Sequence, residues 1–308
     1  MKKDNVSREN IWQHLLKAEA KARSSKLSRW ITSPVLYPTL MLFNYGIYPI
    51  IHRGMYAIAH PFFGIPMRTL LPAGTDLLLN HIKSHDSEIR LAKFMCRHIQ
   101  SGDVVIDIGA HYGYYSLLAA ALSVDGAVYS IEASSASFDV LKENVASYTS
   151  VYPLHRAAGE KQGKVVFYEY PGPYAEYNTT VEGAYEKQAW LKKIDQKITT
   201  VPVIMLDSLM ADHGIQKAFI KIDVEGGEGA VLRGMSNSLN ACDLTIAMEY
   251  LSNTSESGTH ANAAEILASA GYQAHAIDRH GALQPVENID KYLAENHLTS
   301  DNVVFIKR

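Results

Sequence analysis

The chain has 308 residues, 47% of them hydrophobic and 20% charged, with a formal net charge of -3 and a pI near 6.5. That length buries a substantial core, as one large domain with additions or as two domains, and the composition is globular rather than disordered. The slightly acidic balance argues against nucleic acid as the main partner, and two cysteines, Cys96 and Cys242, exclude a disulfide framework and a CxxC zinc site.

The basic charge is concentrated at the start. Residues 1–30 hold eight Lys or Arg against Asp4, Glu9 and Glu19, and Ile11, Trp12, Leu15 and Leu16 recur at helical spacing, so a basic amphipathic helix is expected. Residues 30–51, WITSPVLYPTLMLFNYGIYPII, carry no charge and have about the length of a membrane span. Pro34, Pro38 and Pro49, with Thr39, Asn44 and Gly46, would interrupt a spanning helix. Residues 1–60 therefore read as an extension. It either lies on a membrane surface through residues 1–52 or packs on the protein's own core or a homodimer partner. No cleavable signal peptide is visible, which points to the cytoplasm or to the inner face of the membrane. The Asn-X-Ser/Thr triplets at Asn178 and Asn253 are read as chance.

From about residue 61 the main domain begins. GIPMRTLLPAG and TDLLLNHI read as short strands around a Pro-Gly turn, and SEIRLAKFMCRHI as a helix. A regular alternation follows: strand 104–110, helix 114–123, strand 127–133, helix 135–148 and strand 151–159. Strands alternating with helices of this length predict right-handed crossovers and a parallel sheet covered on both faces. KVVFYEY, residues 164–170, is an alternating strand, and a Tyr-rich and Trp-containing insertion occupies about residues 168–200. The rhythm resumes with strand AFIKIDV, helix AVLRGMSNSL, strand DLTIAMEY, helix ANAAEILASAG and strand YQAHAI. The closing NVVFIKR has only a short helical candidate before it, IDKYLAEN, and fits an antiparallel strand best.

Two strand ends carry chemistry. In DIGAHYG an apolar strand passes through Gly109 and Gly113 into a helix, which brings backbone close to a ligand and offers N–H groups at the helix start. The spacing is GxxxG rather than GxGxxG. Asp107 at its mouth would repel a pyrophosphate but can hold a cationic amino group, favouring a zwitterionic cofactor over NAD. Glu132 ends the next strand, where doubly wound nucleotide folds place an acid on both ribose hydroxyls.

DVVIDIGAHYGYYSLLAA, LHRAAGEKQGKVVFYE, LDSL and above all IKIDVEGGEGAVLRG resemble the FkbM-type S-adenosylmethionine-dependent methyltransferases, from about residue 85 to the C-terminus. The resemblance implies an α/β fold: a doubly wound, seven-stranded class I methyltransferase (Rossmann-like) sheet with an antiparallel last strand, here behind an N-terminal helical extension. It implies S-adenosyl-L-methionine as cofactor and O-methylation of sugars, glycans, lipids or related metabolites. Carried over, Asp107, Gly109, Ala110 and Gly113 form the turn around the methionine part, Glu132 holds the ribose, Ala157 in the stretch Arg156 to Ala158 lies near the adenine, and Asp223 closes the pocket at the methyl side.

Methyl transfer to an alcohol requires alignment and removal of a proton from a weakly acidic hydroxyl. The strand-end candidates for the base are Asp223, Glu225, His111 and Glu249, with His111 attractive for its ordinary pKa. Asp223, Glu225 and Glu228 offer oxygen ligands to a hard cation, but Glu228 lies past two glycines and suits the first helical turn, so no metal is expected. In the insertion, Tyr177 and Asn178 join Glu249 as acceptor-binding candidates, for a glycan or glycolipid hydroxyl. Two alternatives stay open: a nicotinamide-dependent oxidoreductase, and a non-catalytic glycan- or cofactor-binding module.

Overall fold

The computed structural model describes residues 7–183, 185, 188, 190–252 and 259–307. Lys2, Lys3 and Asp4 of the basic end and the Asn253 triplet lie outside them. Helix α1 (Arg8–Ala22) is capped by Ser7, whose hydroxyl accepts from Asn10 N. It turns Ile11, Leu15 and Ala18 into the main core and leaves Leu16 exposed. α2 (Lys26–Thr32) follows, and the chain breaks at Pro34. α3 (Leu36–Leu42) then runs through one wide π-turn, Phe43–Ile47, into α4 (Tyr48–Ile51). Pro38 stands in the first turn of α3, where its missing N–H is harmless, and the π-turn absorbs Pro49. The interruption expected from three prolines is thus one break and one distortion. No helix among the described residues is long and apolar enough to cross a membrane.

Strands β1 (Met55–Ala59) and β2 (Met67–Leu71) pair antiparallel. The next segment, TDLLLN, is a helix, α5 (Thr75–Asn80), and not the strand expected from its apolar run. A run this short carries no period, and burial of Leu77, Leu79 and Asn80 decides it. α6 (Asp86–His98) leads to β3 (Val104–Ile108), α7 (Tyr114–Leu122), β4 (Ala127–Glu132), α8 (Ser135–Val145) and β5 (Val151–His155). The predicted strand 151–159 divides at Arg156. Beyond it, β6 (Ala157–Ala158) leaves the main sheet to join β7 (Gly163–Glu169) and β8 (Lys197–Ile204) in a second sheet of order β6-β8-β7.

After α9 (Leu206–Asp212) come β9 (Lys217–Ile222), α10 (Glu228–Arg233) and α11 (Ser236–Ala241). The last two are one helix in the sequence reading. They part at Gly234, where a Cβ would stand 2.0 Å from the Gly159 carbonyl oxygen. β10 (Asp243–Leu251), α12 (Thr259–Ser269), β11 (Tyr272–Ile277), β12 (Leu283–Pro285), α13 (Ile289–Glu295) and β13 (Ser300–Lys307) complete the chain.

The main sheet has the order β12-β11-β13-β10-β9-β3-β4-β5. β5, β4, β3, β9 and β10 run parallel, and β13 inserts antiparallel between β10 and β11. This is the expected seven-stranded arrangement with an antiparallel last strand, with the short β12 added at one edge. Alternate strand residues feed the two faces. Val105, Val128, Phe219 and Val304 meet α1, α6, α7 and α8, whereas Ile106, Ile131, Ile220 and Phe305 meet α9 to α13. Parallel strands buried on both faces place their C-terminal ends along one edge, and the site forms there.

Candidate active site

A cavity of about 370 Å³ opens at that edge, lined by the turn after β3, the ends of β4 and β9, the segment before α6, and the insertion. The turn after β3 is tight: Gly109 has φ +78°, and a Cβ on it would lie 1.8 Å from the carbonyl oxygen of Asp223. The DIGA and KIDVEG motifs are therefore in direct backbone contact. Four N–H groups of this turn are engaged within the protein. Gly109 and Ala110 both donate to Ile131 O, Gly113 to Ala110 O, and His111 to the Glu132 carboxylate at 2.7 Å.

Asp107 does not reach the cavity. It is 1% exposed and accepts from Ser116 Oγ at 2.6 Å, which in turn accepts from Ser130 Oγ at 2.7 Å. Burial raises its pKa against the pull of Lys221, and its other oxygen has no partner. It braces the turn from behind; contact with a cofactor's amino group is not what its rotamer shows.

Glu132 does line the cavity, buried at the end of β4. One oxygen accepts from His111 N and the other from Ser134 N at 2.8 Å, and the Ala133 N–H is a third donor, so of about four acceptor sites on the carboxylate one stays open. Burial raises its pKa to about 7 despite these bonds. Ala157 and Phe167 of the second sheet, with Ile131 and Ala133, add an apolar wall beside it. A carboxylate with an open acceptor site beside apolar side chains fits a nucleoside whose ribose hydroxyl meets the carboxylate and whose base meets the wall.

Asp223 follows β9 and shares its face with Lys221, two residues back. Partial burial would raise its pKa, but Lys221 Nζ at 2.9 Å, with Lys83 beyond, outweighs that and holds it below the usual carboxylate range. Glu225 has φ +53° and accepts from the Tyr185 hydroxyl at 2.5 Å. Burial and the charges of Asp223 and Glu249 push its pKa well up. Glu249, on β10, is raised to about 8 by burial and by Asp223. Ligand oxygens of Asp223, Glu225 and Glu249 lie within 4.8 Å of one another. Glu228, which the sequence groups with Asp223 and Glu225, turns away from them. Its Oε1 accepts from Val224 N and Gly226 N at the start of α10.

His111 loses its appeal as a base. Desolvation, then Lys83, lowers its pKa to about 3, and its ring stacks on Tyr112 at 3.8 Å. A histidine this weakly basic stays neutral and takes no proton from an alcohol. Asn178 lines the cavity but commits its side-chain oxygen to Tyr170 N at 2.6 Å. Tyr177 lines a neighbouring hollow with Tyr48, Pro72, Ala73, Pro173, Tyr174 and Trp190.

Sequence reasoning missed one group. Lys83 and Glu88 pair at 2.9 Å, the Tyr115 hydroxyl donates to Glu88 at 2.9 Å, and the Lys221 ammonium lies 5.0 Å from the Tyr115 ring centre. Lys221 carried a signal, since a cation in the middle of an apolar central strand requires a partner. Lys83 and Glu88 carried none, because what brings their pair to the site is its approach to Lys221 and Asp223, more than a hundred residues away in the chain.

The Methyltransferase FkbM domain family matches residues 107–274, from the β3 turn to the start of β11. The hexuronic acid methyltransferase AglP of Haloferax volcanii is 26% identical over 170 residues, which cover 54% of this chain and 63% of that protein. Among solved structures, an O-methyltransferase from Bacillus cereus in complex with SAH aligns with a TM-score of 0.38 at 16% identity, over 71% of this chain and 80% of its own. Fibrillarin of Aeropyrum pernix, bound to S-adenosyl-L-methionine, aligns with a TM-score of 0.37 at 10% identity, over 70% and 73%. The family match spans more than half of the chain and contains both motifs that meet at the cavity, and the chain belongs to the FkbM methyltransferase domain family.

Proposed function

We propose that the protein is an S-adenosyl-L-methionine-dependent O-methyltransferase acting on a hydroxyl of a sugar, glycan, glycolipid or related metabolite. The observation that carries this reading is the placement of two unlike acidic sites on one sheet edge. Glu132 presents an acceptor suited to a ribose hydroxyl, and Asp223, Glu225 and Glu249 gather about the neighbouring strand ends. The hexuronic acid methyltransferase among its relatives supports a sugar acceptor.

When bound, the cofactor supplies a methyl group on a sulfonium, open to displacement by oxygen. The chain's own residues then have three tasks. Glu132 and the Ala133–Ala157–Phe167 wall hold the nucleoside end. Lys221 keeps Asp223 ionised beside the developing reaction centre. Glu249, crowded by that charge, accepts the hydroxyl proton in its ionised form; a carboxylate raised to about 8 is matched to such a transfer near neutrality. Glu225, pushed well up by burial, holds the Tyr185 hydroxyl. The aromatic insertion, with Tyr177 and Asn178 at its root, covers the acceptor and excludes water.

Calorimetry with S-adenosylhomocysteine and with NAD tests the cofactor assignment. Micromolar binding of the homocysteine product and none of NAD is expected. Tight NAD binding without the homocysteine would transfer the reading to an oxidoreductase. Extracts incubated with protein and methyl-labelled cofactor should yield an O-methylated sugar, and Asp223→Asn should lower that yield by about 10²-fold or more while homocysteine binding persists.

A further inference from the structure

Thirteen of the nineteen large apolar side chains exposed among the described residues fall between Leu27 and Ile58. Leu27, Ile31, Val35, Tyr45 and Ile50 are each at least 70% exposed, and neither α2 nor α4 buries a single residue. Water-facing helices do not carry such a surface without something to cover it. Charge tells what covers it. The chain has 32 Asp and Glu in 308 residues, yet none stands between Glu19 and Asp76. That stretch holds Lys21, Arg23, Lys26, Arg29, Arg53 and Arg68 instead; Arg23 pairs with Glu19 and Asp86 and Arg68 with Glu143, while Lys26 and Arg53 are exposed on the face itself.

We infer that α2, α3, α4 and β1 form a docking face for an anionic lipid bilayer, with the apolar side chains sunk at the headgroup level and the cations on lipid phosphates. A second copy of the chain suits the face less well. A two-fold interface sets each surface against itself, and across α2 to β1 this one would oppose Lys26 and Arg53 to their own copies, with no carboxylate between residues 26 and 59 to pair them. Spanning is ruled out by length: the sixteen residues from Leu36 to Ile51 rise about 24 Å at 1.5 Å each, short of a hydrocarbon core of about 30 Å. Trp30, Tyr45 and Tyr56 are exposed and suit the interfacial layer.

The face adjoins the acceptor side of the cavity. Tyr48 of α4 and Ala73 line the hollow under Tyr174, Tyr177 and Trp190, and Ala73 also lines the main cavity. Asn44 Nδ2 in the π-turn donates to Thr75 Oγ1 at 2.8 Å, tying the face to α5. Docking therefore brings the cavity mouth to the lipid surface. The inference rests on surface chemistry alone and stands whether or not the reaction is methyl transfer.

Flotation of the full-length protein with vesicles tests it, using phosphatidylcholine alone against a phosphatidylcholine–phosphatidylglycerol mixture at low and raised salt. At least about tenfold more protein should float with the anionic vesicles, and salt should reduce the difference. The double variant Ile31→Glu, Ile50→Glu changes only exposed positions, so its melting temperature and homocysteine binding should match the parent while flotation falls by about tenfold or more. Absence of flotation with anionic vesicles, or undiminished flotation of the double variant, overturns the inference. So does a parent dimer that floats with neither vesicle and dissociates in the double variant, since a second copy then covers the face.

Discussion

Single residues in this site act through their surroundings more than through their type. Two base candidates of the sequence, Asp223 and His111, and its ribose acceptor Glu132 are each moved from their ordinary pKa by the fold. Asp223 is held ionised by Lys221, His111 is made almost non-basic, and Glu132 is raised to about 7 by burial. Glu132 yields a pH prediction with a definite sign. Its carboxylate form accepts from a ribose hydroxyl and its protonated form loses that capacity, so affinity for S-adenosylhomocysteine should fall as pH drops through about 7, approaching tenfold per unit below it. Stability of the unliganded protein runs the other way. The folded state holds a proton that the unfolded state releases between the ordinary value of 4.5 and about 7, so this residue's contribution declines as pH rises through that window. Calorimetry between pH 6 and 8 should show the dependence in the parent and a flat, weaker profile in Glu132→Gln; the same slope in both would assign the titration elsewhere. Glu132, Asp223 and Glu249 were legible because strand ends of a doubly wound sheet converge on one edge. Asp107 was not, because only its rotamer sends it towards Ser116 instead of the cavity.

At the scale of elements, the decisive contact joins the ends of two strands more than a hundred residues apart in sequence. β3 and β9 are hydrogen-bonded neighbours, and the turn leaving β3 passes so near the end of β9 that Gly109 admits no side chain. Gly109→Ala should lose at least about 1–2 kcal/mol from the left-handed backbone alone, with a further loss from overlap with the Asp223 carbonyl. Gly102→Ala is the matching control: φ is +86° there, but nothing lies within 4 Å of the added Cβ. Thermal melts should place Gly109→Ala well below Gly102→Ala, and only the former should lose homocysteine binding. Equal effects would mean that the strand-end contact is unimportant. The alternation of strands and helices was readable from period and punctuation. The departure of β6 from the main sheet was not, since Ala157 and Ala158 carry no pattern that separates them from β5 and only pairing with β8 draws them away.

The whole molecule is closed by contacts between its two ends. Arg90 on α6 meets Asp301 on β13 through two bonds of 2.9 Å and also donates to Ile277 O at 2.7 Å, all of it buried. Arg90 also donates from Nε to the half-exposed Asp86 at 3.0 Å, so Asp301→Ala leaves the charge paired but strips its buried Nη1 and Nη2 of their carboxylate, and should destabilise the protein by about 1–3 kcal/mol in denaturant unfolding. A loss below about 1 kcal/mol would show that water reaches Arg90. α1 is likewise part of this body: Ile11, Leu15 and Ala18 enter the core with α6 and α7, and Glu19 meets Lys93 at 2.6 Å. The first helix therefore shares the core of the main sheet, although residues 1–60 read as an extension. By itself the sequence determined the class of fold, the parallel order with its reversed last strand, the family, and the strand-end acids, because these follow from local period and from motifs held within a few residues. Only the tertiary structure decided which acids are ionised, which glycine is obligatory, that Lys83, Glu88, Tyr115 and Lys221 stand behind Asp223, and that the apolar N-terminal stretch lies on the surface. Those depend on distances between segments remote in the chain, and periodicity carries no information about them.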